Sequence, residues 1–213
     1  MNPEGLNTPA AQPSWSARVN SDRAVEVSLE RDTELMLRVR DGDQACFGLL
    51  LERHRNPVIH FVYRMVQNQA VAEELAQEAF LRVFKSRSSY EPTAKFTTWL
   101  FRIASHLALN WIRDGRNEKR QASLDESPDG TARQVPDRCR TAEQELVYQA
   151  KLREVRQAIE GLPPKQKAAV MMHKYEEMGY AQIADVLRCS ESAVKSLLFR
   201  AYESLRVRLA HMA

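Results

Sequence analysis

Between Gly115 and about Arg140 apolar residues nearly vanish, and Ser, Asp, Gly, Pro and Arg take their place, as in Ala122-Ser-Leu-Asp-Glu-Ser-Pro-Asp-Gly130. A stretch with so little to bury cannot run through a core, so it reads as a linker between two separately folded units. The division is a mixed polar arm at 1–28, a first domain at 29–114, the linker at 115–140 and a second domain at 141–213. As a flexible coil the linker has an r.m.s. reach of about 25–30 Å, and fully extended it spans roughly 80 Å. Only seven of the 213 residues are Gly, Leu, Ala, Arg and Glu are abundant, and alternating β-branched runs are few. Both units are therefore expected to be all-α, as two small helical domains.

Helix signals begin near Asp32 or Thr33, either of which can cap Glu34–Arg40 before Asp41-Gly42 stops the turn. Asp43 caps a helix to about His54, and Pro57 is expected to interrupt or kink the path before Val58–Met65. Asn68 opens a third helix through about Lys85, with Ala72, Ala76, Ala79, Phe80 and Val83 inward. Glu74, Gln77, Glu78 and Leu81 share the opposite side. A Leu within an acidic and amide patch fits a helix-docking face, although a solvated face with one harmless Leu fits it too.

Phe96–Arg113 lacks Gly and Pro over about five turns. At about 100° per residue, Phe96, Leu100, Ile103 and Leu107 make an inner stripe. Trp99, Arg102, His106 and Arg113, with Asn110 beside them, make a second one. Cations, an imidazole, an amide and an indole in line can hold a nucleic-acid strand by charge and stacking. Alone, the pattern also suits an amphipathic helix whose Trp packs on a neighbour. The preceding loop, Lys85 to Lys95, carries Lys85, Arg87 and Lys95 around an aromatic, Tyr90, directly before this helix, which strengthens the strand-binding reading.

In the second unit, Thr141–Glu160 is a helix ended by Gly161, and Lys165 to about Glu176 is another. Tyr180–Leu187, a tight turn at Arg188-Cys-Ser-Glu, and a last helix Ser192–Leu209 capped by Ser190 have helix-turn-helix spacing. Val194, Leu198, Ala201 and Leu205 point inward. Ser192, Lys195, Ser196, Phe199 and Arg200 lie outward, where hydroxyls and cations suit phosphates or base edges and Phe199 a thymine methyl. An ordinary helical hairpin with a polar face is the plainer alternative.

Net charge is +3, which permits a nucleic-acid partner without demanding one. Cys46, Cys139 and Cys189 are odd in number and lack CxxC spacing, as expected of a reducing, cytoplasmic setting. No apolar run approaches the ~18 residues of a membrane span. There is no phosphate loop, metal-ligand spacing or nucleophile elbow, so neither a cofactor, a small-molecule substrate nor catalysis is expected.

Together these segments resemble a bacterial RNA polymerase sigma factor of the extracytoplasmic-function class, from about Asp32 to Leu209. Ala72-Glu-Glu-Leu-Ala-Gln-Glu-Ala-Phe-Leu-Arg-Val-Phe84 and Phe96-Thr-Thr-Trp-Leu-Phe-Arg-Ile-Ala104 are similar to the family's region 2. Leu162-Pro-Pro-Lys-Gln-Lys, Gly179-Tyr-Ala-Gln-Ile-Ala and Ser190-Glu-Ser-Ala-Val-Lys-Ser196 are similar to its region 4. The resemblance implies that Glu74, Gln77, Glu78 and Leu81 dock on the β′ clamp helices of core RNA polymerase. It implies that Ser86, Tyr90, Lys95, Trp99, Arg102, His106, Asn110 and Arg113 hold the melted minus-ten element. It assigns Ser190, Ser192, Lys195, Ser196, Phe199 and Arg200 to the minus-thirty-five duplex, with the second domain on the β flap, and it implies an anti-sigma partner. The chain departs from the family's pattern at His106, where many relatives carry Asn, and at Leu197, where many carry a basic residue. A stand-alone helix-turn-helix regulator is the alternative function.

Overall fold

The computed structural model describes residues 31–121 and 142–212. The proposed arm at 1–28, with Trp15, and most of the proposed linker lie outside the described residues.

Residues 31–40 are helical (α1), followed by α2 (Gln44–Val66), α3 (Gln69–Lys85), a single 3₁₀ turn at Arg87–Ser89 and α4 (Phe96–Gln121). The α1–α2 turn uses Gly42 at φ 109°, a left-handed conformation that favours glycine. Asp43 caps α2 by accepting from the Ala45 N–H at 3.1 Å, and Asn68 caps α3 by accepting from Val71 N–H at 3.1 Å.

Three expectations need correction. Asp32 does not cap α1, because residue 31 is already helical. Its buried carboxylate instead pairs with Arg53 and sits 2.8 Å from His54 Nε2, tying α1 to α2. Pro57 does not interrupt α2, which runs through it. Losing one backbone bond and accommodating the ring costs ~3 kcal/mol. Val58, Phe61, Val62 and Met65 are all buried just beyond it, at about 1.5–3 kcal/mol each, so burial outweighs the break. Third, α4 does not stop near Arg113 but continues past Gly115 to Gln121. One internal Gly costs only about 1 kcal/mol, and the residues after it are mostly good helix formers.

The inward faces of α2, α3 and α4 meet around Phe61, Phe80, Phe96 and Leu100, and Phe61 lies edge-on to Phe101 with ring centroids 5.2 Å apart. Ile103, expected on the inner stripe, is only half-buried; Phe101, Ala104 and Ala108 share that face with Phe96, Leu100 and Leu107.

After the undescribed segment come α5 (Ala142–Glu160), α6 (Pro164–Tyr175), α7 (Tyr180–Leu187), α8 (Glu191–Arg208) and a last turn at Ala210–Met212. Pro164 occupies the first position of α6, where a missing N–H costs nothing. Arg188, at φ 51°, closes α7 with its N–H on the Ala184 carbonyl, and Ser190 caps α8 by accepting from Ala193 N–H at 3.2 Å. Arg208, near the end of α8, donates to the Ala158 and Gly161 carbonyls at the open end of α5. The two helical units touch: α7 packs on α4 and α6 on α2, and the buried apolar residues form one continuous cluster.

Candidate nucleic-acid and polymerase interfaces

On α3 the residues Glu74, Gln77 and Leu81 are exposed and Glu78 is half-buried, all on the face turned from the core. Leu81 is 52% exposed, so nothing in the fold explains an apolar residue there. Glu78 pairs with Arg82 at 2.6 Å. Exposed pairs of this kind contribute at most about 1 kcal/mol, so an incoming partner can replace this one.

The outer stripe of α4 borders a cleft of about 1300 Å³. Trp99, Arg102, His106, Asn110 and Arg113 line one wall, and Arg82, Lys85, Ser86 and Ser89 continue it from the end of α3 and the following turn. The opposite wall belongs to the second unit, through Pro163, Pro164, Lys165 and Val186–Arg188. The lining carries six cations, Arg82, Lys85, Arg102, Arg113, Lys165 and Arg188, and no carboxylate. Small-molecule pockets span about 300–1,000 Å³, so size and charge both suit an extended polyanion better.

Within the cleft each side chain has a distinct setting. Trp99 is steadied by Tyr90, with ring centroids 4.9 Å apart, and by Phe96 at 6.2 Å. The Arg102 Nε is buried without a hydrogen-bond partner. His106 is exposed, and Asn110 Nδ2 lies 3.2 Å from its Nδ1. Arg113 pairs with its exposed neighbour Asp114, at 3.1 Å. The Ser86 hydroxyl donates to the Arg82 carbonyl, which holds the turn against α3.

Tyr90 is the clear correction among the proposed strand contacts. It is 3% exposed, and burial pushes its phenol pKa up while Thr33 hydrogen-bonds it. Its ring supports Trp99 from behind and has no face free for a base. Arg87 also serves the loop, donating to the Phe84 carbonyl at 2.9 Å and stacking on that ring. Lys95 is exposed beside the start of α4 but does not line the cleft. Lys165 and Arg188 were missed, because nothing in the local pattern places the second unit opposite α4.

On α8, Ser192, Lys195, Ser196, Phe199 and Arg200 are all exposed, and Phe199 is 67% accessible. Lys195, Ser196, Phe199 and Arg200 line one shallow groove. Ser190 is also exposed, but its oxygen is engaged in capping the helix. Leu197 is half-buried and packs against the core.

Residues 50–118 match the model for Sigma-70 region 2, and residues 152–205 match that for Sigma-70, region 4. The ECF RNA polymerase sigma-E factor of Haemophilus influenzae is 31% identical over 82% of this chain and 93% of its own length. The RNA polymerase sigma factor CarQ of Myxococcus xanthus is 32% identical over 83% of this chain and 97% of its own. The chain belongs to the extracytoplasmic-function class of the sigma-70 family. It is a sigma factor, a non-enzymatic regulator acting in transcription initiation.

The fold agrees with that of two solved structures. CnrH, in complex with the cytosolic domain of CnrY, superposes with a TM-score of 0.63 at 19% identity over 85% of this chain and 99% of that one. RpoE of Bartonella quintana, in complex with the anti-sigma factor NepR, gives 0.60 at 19% identity over 77% and 96%. The region 2 match covers most of α2, all of α3 and most of α4, and the region 4 match runs from within α5 into α8. No helix among the described residues is long and apolar enough to cross a membrane, and none of their His, Cys, Asp and Glu side chains cluster as a metal site would require.

Proposed function

We propose that this sigma factor docks on the β′ clamp helices of core RNA polymerase through Glu74, Gln77, Glu78 and Leu81. Trp99, Arg102, His106, Asn110 and Arg113, with Ser86, then hold the non-template strand of the minus-ten element. The observation that carries this reading is the cationic, carboxylate-free wall built around a braced indole. A strand laid there gains phosphate neutralisation and base stacking, worth about 1–3 kcal/mol per stacked base, which favours the melted duplex without catalysis by the chain itself. Ser192, Lys195, Ser196, Phe199 and Arg200 read the minus-thirty-five duplex while region 4 rests on the β flap.

The domains are the first unit at 29–114, extended by α4 to Gln121, and the second at 141–213. The protein works in the cytoplasm and is restrained by an anti-sigma factor covering its docking and DNA-binding faces. The complex of the Bartonella quintana relative supports that partner.

Run-off transcription with core polymerase on a promoter library tests the assignment. Transcripts should depend on the protein and fall by at least roughly tenfold for Leu81→Glu, which buries a charge where an apolar contact forms. Specific nanomolar duplex binding by the protein alone, without polymerase, would overturn it.

A further inference from the structure

Helix α1 supplies no residue to the cleft, and it precedes residues 50–118, which match Sigma-70 region 2. Yet it reaches both of the rings that support Trp99. Near its start, the Asp32 carboxylate is 1% exposed, lies 2.8 Å from His54 Nε2 and also pairs with Arg53. The His54 imidazole packs on Phe96 with ring centroids 5.5 Å apart, and Phe96 is one of the two rings beside Trp99. At the end of α1, Arg40 Nη1 donates to the Tyr90 carbonyl at 3.5 Å, and Tyr90 is the second ring. Between these two contacts Met36 and Val39 are buried, which fixes α1 against the core.

Stability alone does not account for the buried carboxylate. Desolvation offsets most of the attraction within a buried ion pair, and apolar residues of similar volume often serve folding as well. A hydrogen-bonded charge adds direction instead. Asp32 holds the imidazole in one orientation, whereas an aliphatic side chain in its place would leave the ring to non-directional packing. Direction matters at Trp99 because an indole freezes on stacking against a base, and any freedom it has beforehand subtracts from affinity. Trp99 is half-buried and lines the cleft, so its plane is set by the rings behind it.

We propose that α1 is a positioning element for promoter melting. Asp32, through His54 and Phe96, and Arg40, through Tyr90, fix the Trp99 indole in the plane that receives an unstacked base. Neither residue touches DNA. This inference rests on the assignment of the α4 stripe to the melted strand.

The test uses the full chain assembled with core polymerase on a promoter selected by run-off transcription. Permanganate reactivity of unpaired thymines reads melting, binding of a duplex carrying the minus-thirty-five element alone reads the second domain, and circular dichroism confirms folding. Asp32→Ala and Arg40→Ala should each reduce melting about fivefold, the low end of what one stacked base contributes, with minus-thirty-five binding unchanged. Asp32→Asn, whose amide oxygen still accepts from His54, should restore melting. With Trp15→Phe and Trp111→Phe in the background, Trp99 is the sole indole, and both alanine variants should shift its emission and raise its quenching by iodide. A purely structural role would lower the Tm and leave both emission and melting where they were. Should Asp32→Ala fail to fold, Arg40→Ala carries the test, because Arg40 is exposed. Folded variants with unchanged Trp99 emission, or with melting like wild type, would overturn the proposal. A failure of the stripe assignment would look different: Trp99→Ala would melt promoters like wild type while the emission shift of Asp32→Ala remained.

Discussion

Glu176→Gln should stabilise the protein, and the gain should grow with pH. Burial pushes the Glu176 carboxyl from 4.5 up to about 7, and the Arg64 guanidinium draws it back only in part. Its side chain is 12% exposed, so solvent screening is slight. Because the folded state holds the proton more tightly than the unfolded one, stability is greatest below the unfolded value and is lost as pH rises towards 7. The interval between 4.5 and 7 corresponds to about 3 kcal/mol at 1.36 kcal/mol per pH unit. Gln copies the protonated form at every pH, so it removes about 1 kcal/mol of cost near pH 5 and about 3 kcal/mol near pH 8. Urea unfolding of both chains, followed by far-ultraviolet circular dichroism at the two pH values, measures the difference. An equal effect at both, or a loss at pH 8, would refute the argument: the carboxylate would then be ionised and held favourably by Arg64.

Arg200→Ala should weaken duplex binding by the polymerase holoenzyme and reduce the slope of log affinity against log salt by about 1, the signature of one lost phosphate contact; an unchanged slope would remove Arg200 from the interface. Gly161→Ala should cost about 1–2 kcal/mol, because the new Cβ would fall 1.9 Å from Arg208 Nη1 and drive that side chain off the carbonyls it caps. Thermal unfolding reads this cost, and Arg208→Ala should lose a similar amount, with the double variant no worse than either.

Local sequence carried much of the architecture. The 3.6-residue periodicity marked the buried faces of α3 and α8, and Asp43, Asn68 and Ser190 cap the helices whose starts they signalled. These features are legible because caps and apolar stripes act over three or four residues, a range that any window of sequence contains. The helix-turn-helix and the Leu81 face were visible for the same reason.

Other features depended on partners distant in the chain. Pro57 stays helical because burial beyond it outweighs the break, and Tyr90 moved from a presumed DNA contact to the brace behind Trp99. Asp32 became an anchor for Arg53 and His54 instead of a cap. Lys167 meets Met65 across 102 positions of chain, and Lys165 and Arg188 face α4 from the other domain. The sequence by itself determined the helices, their inward faces and the family. Only tertiary structure decided which exposed faces are covered and which polar groups are buried, because burial is set by what packs against a residue and leaves no trace in its neighbours.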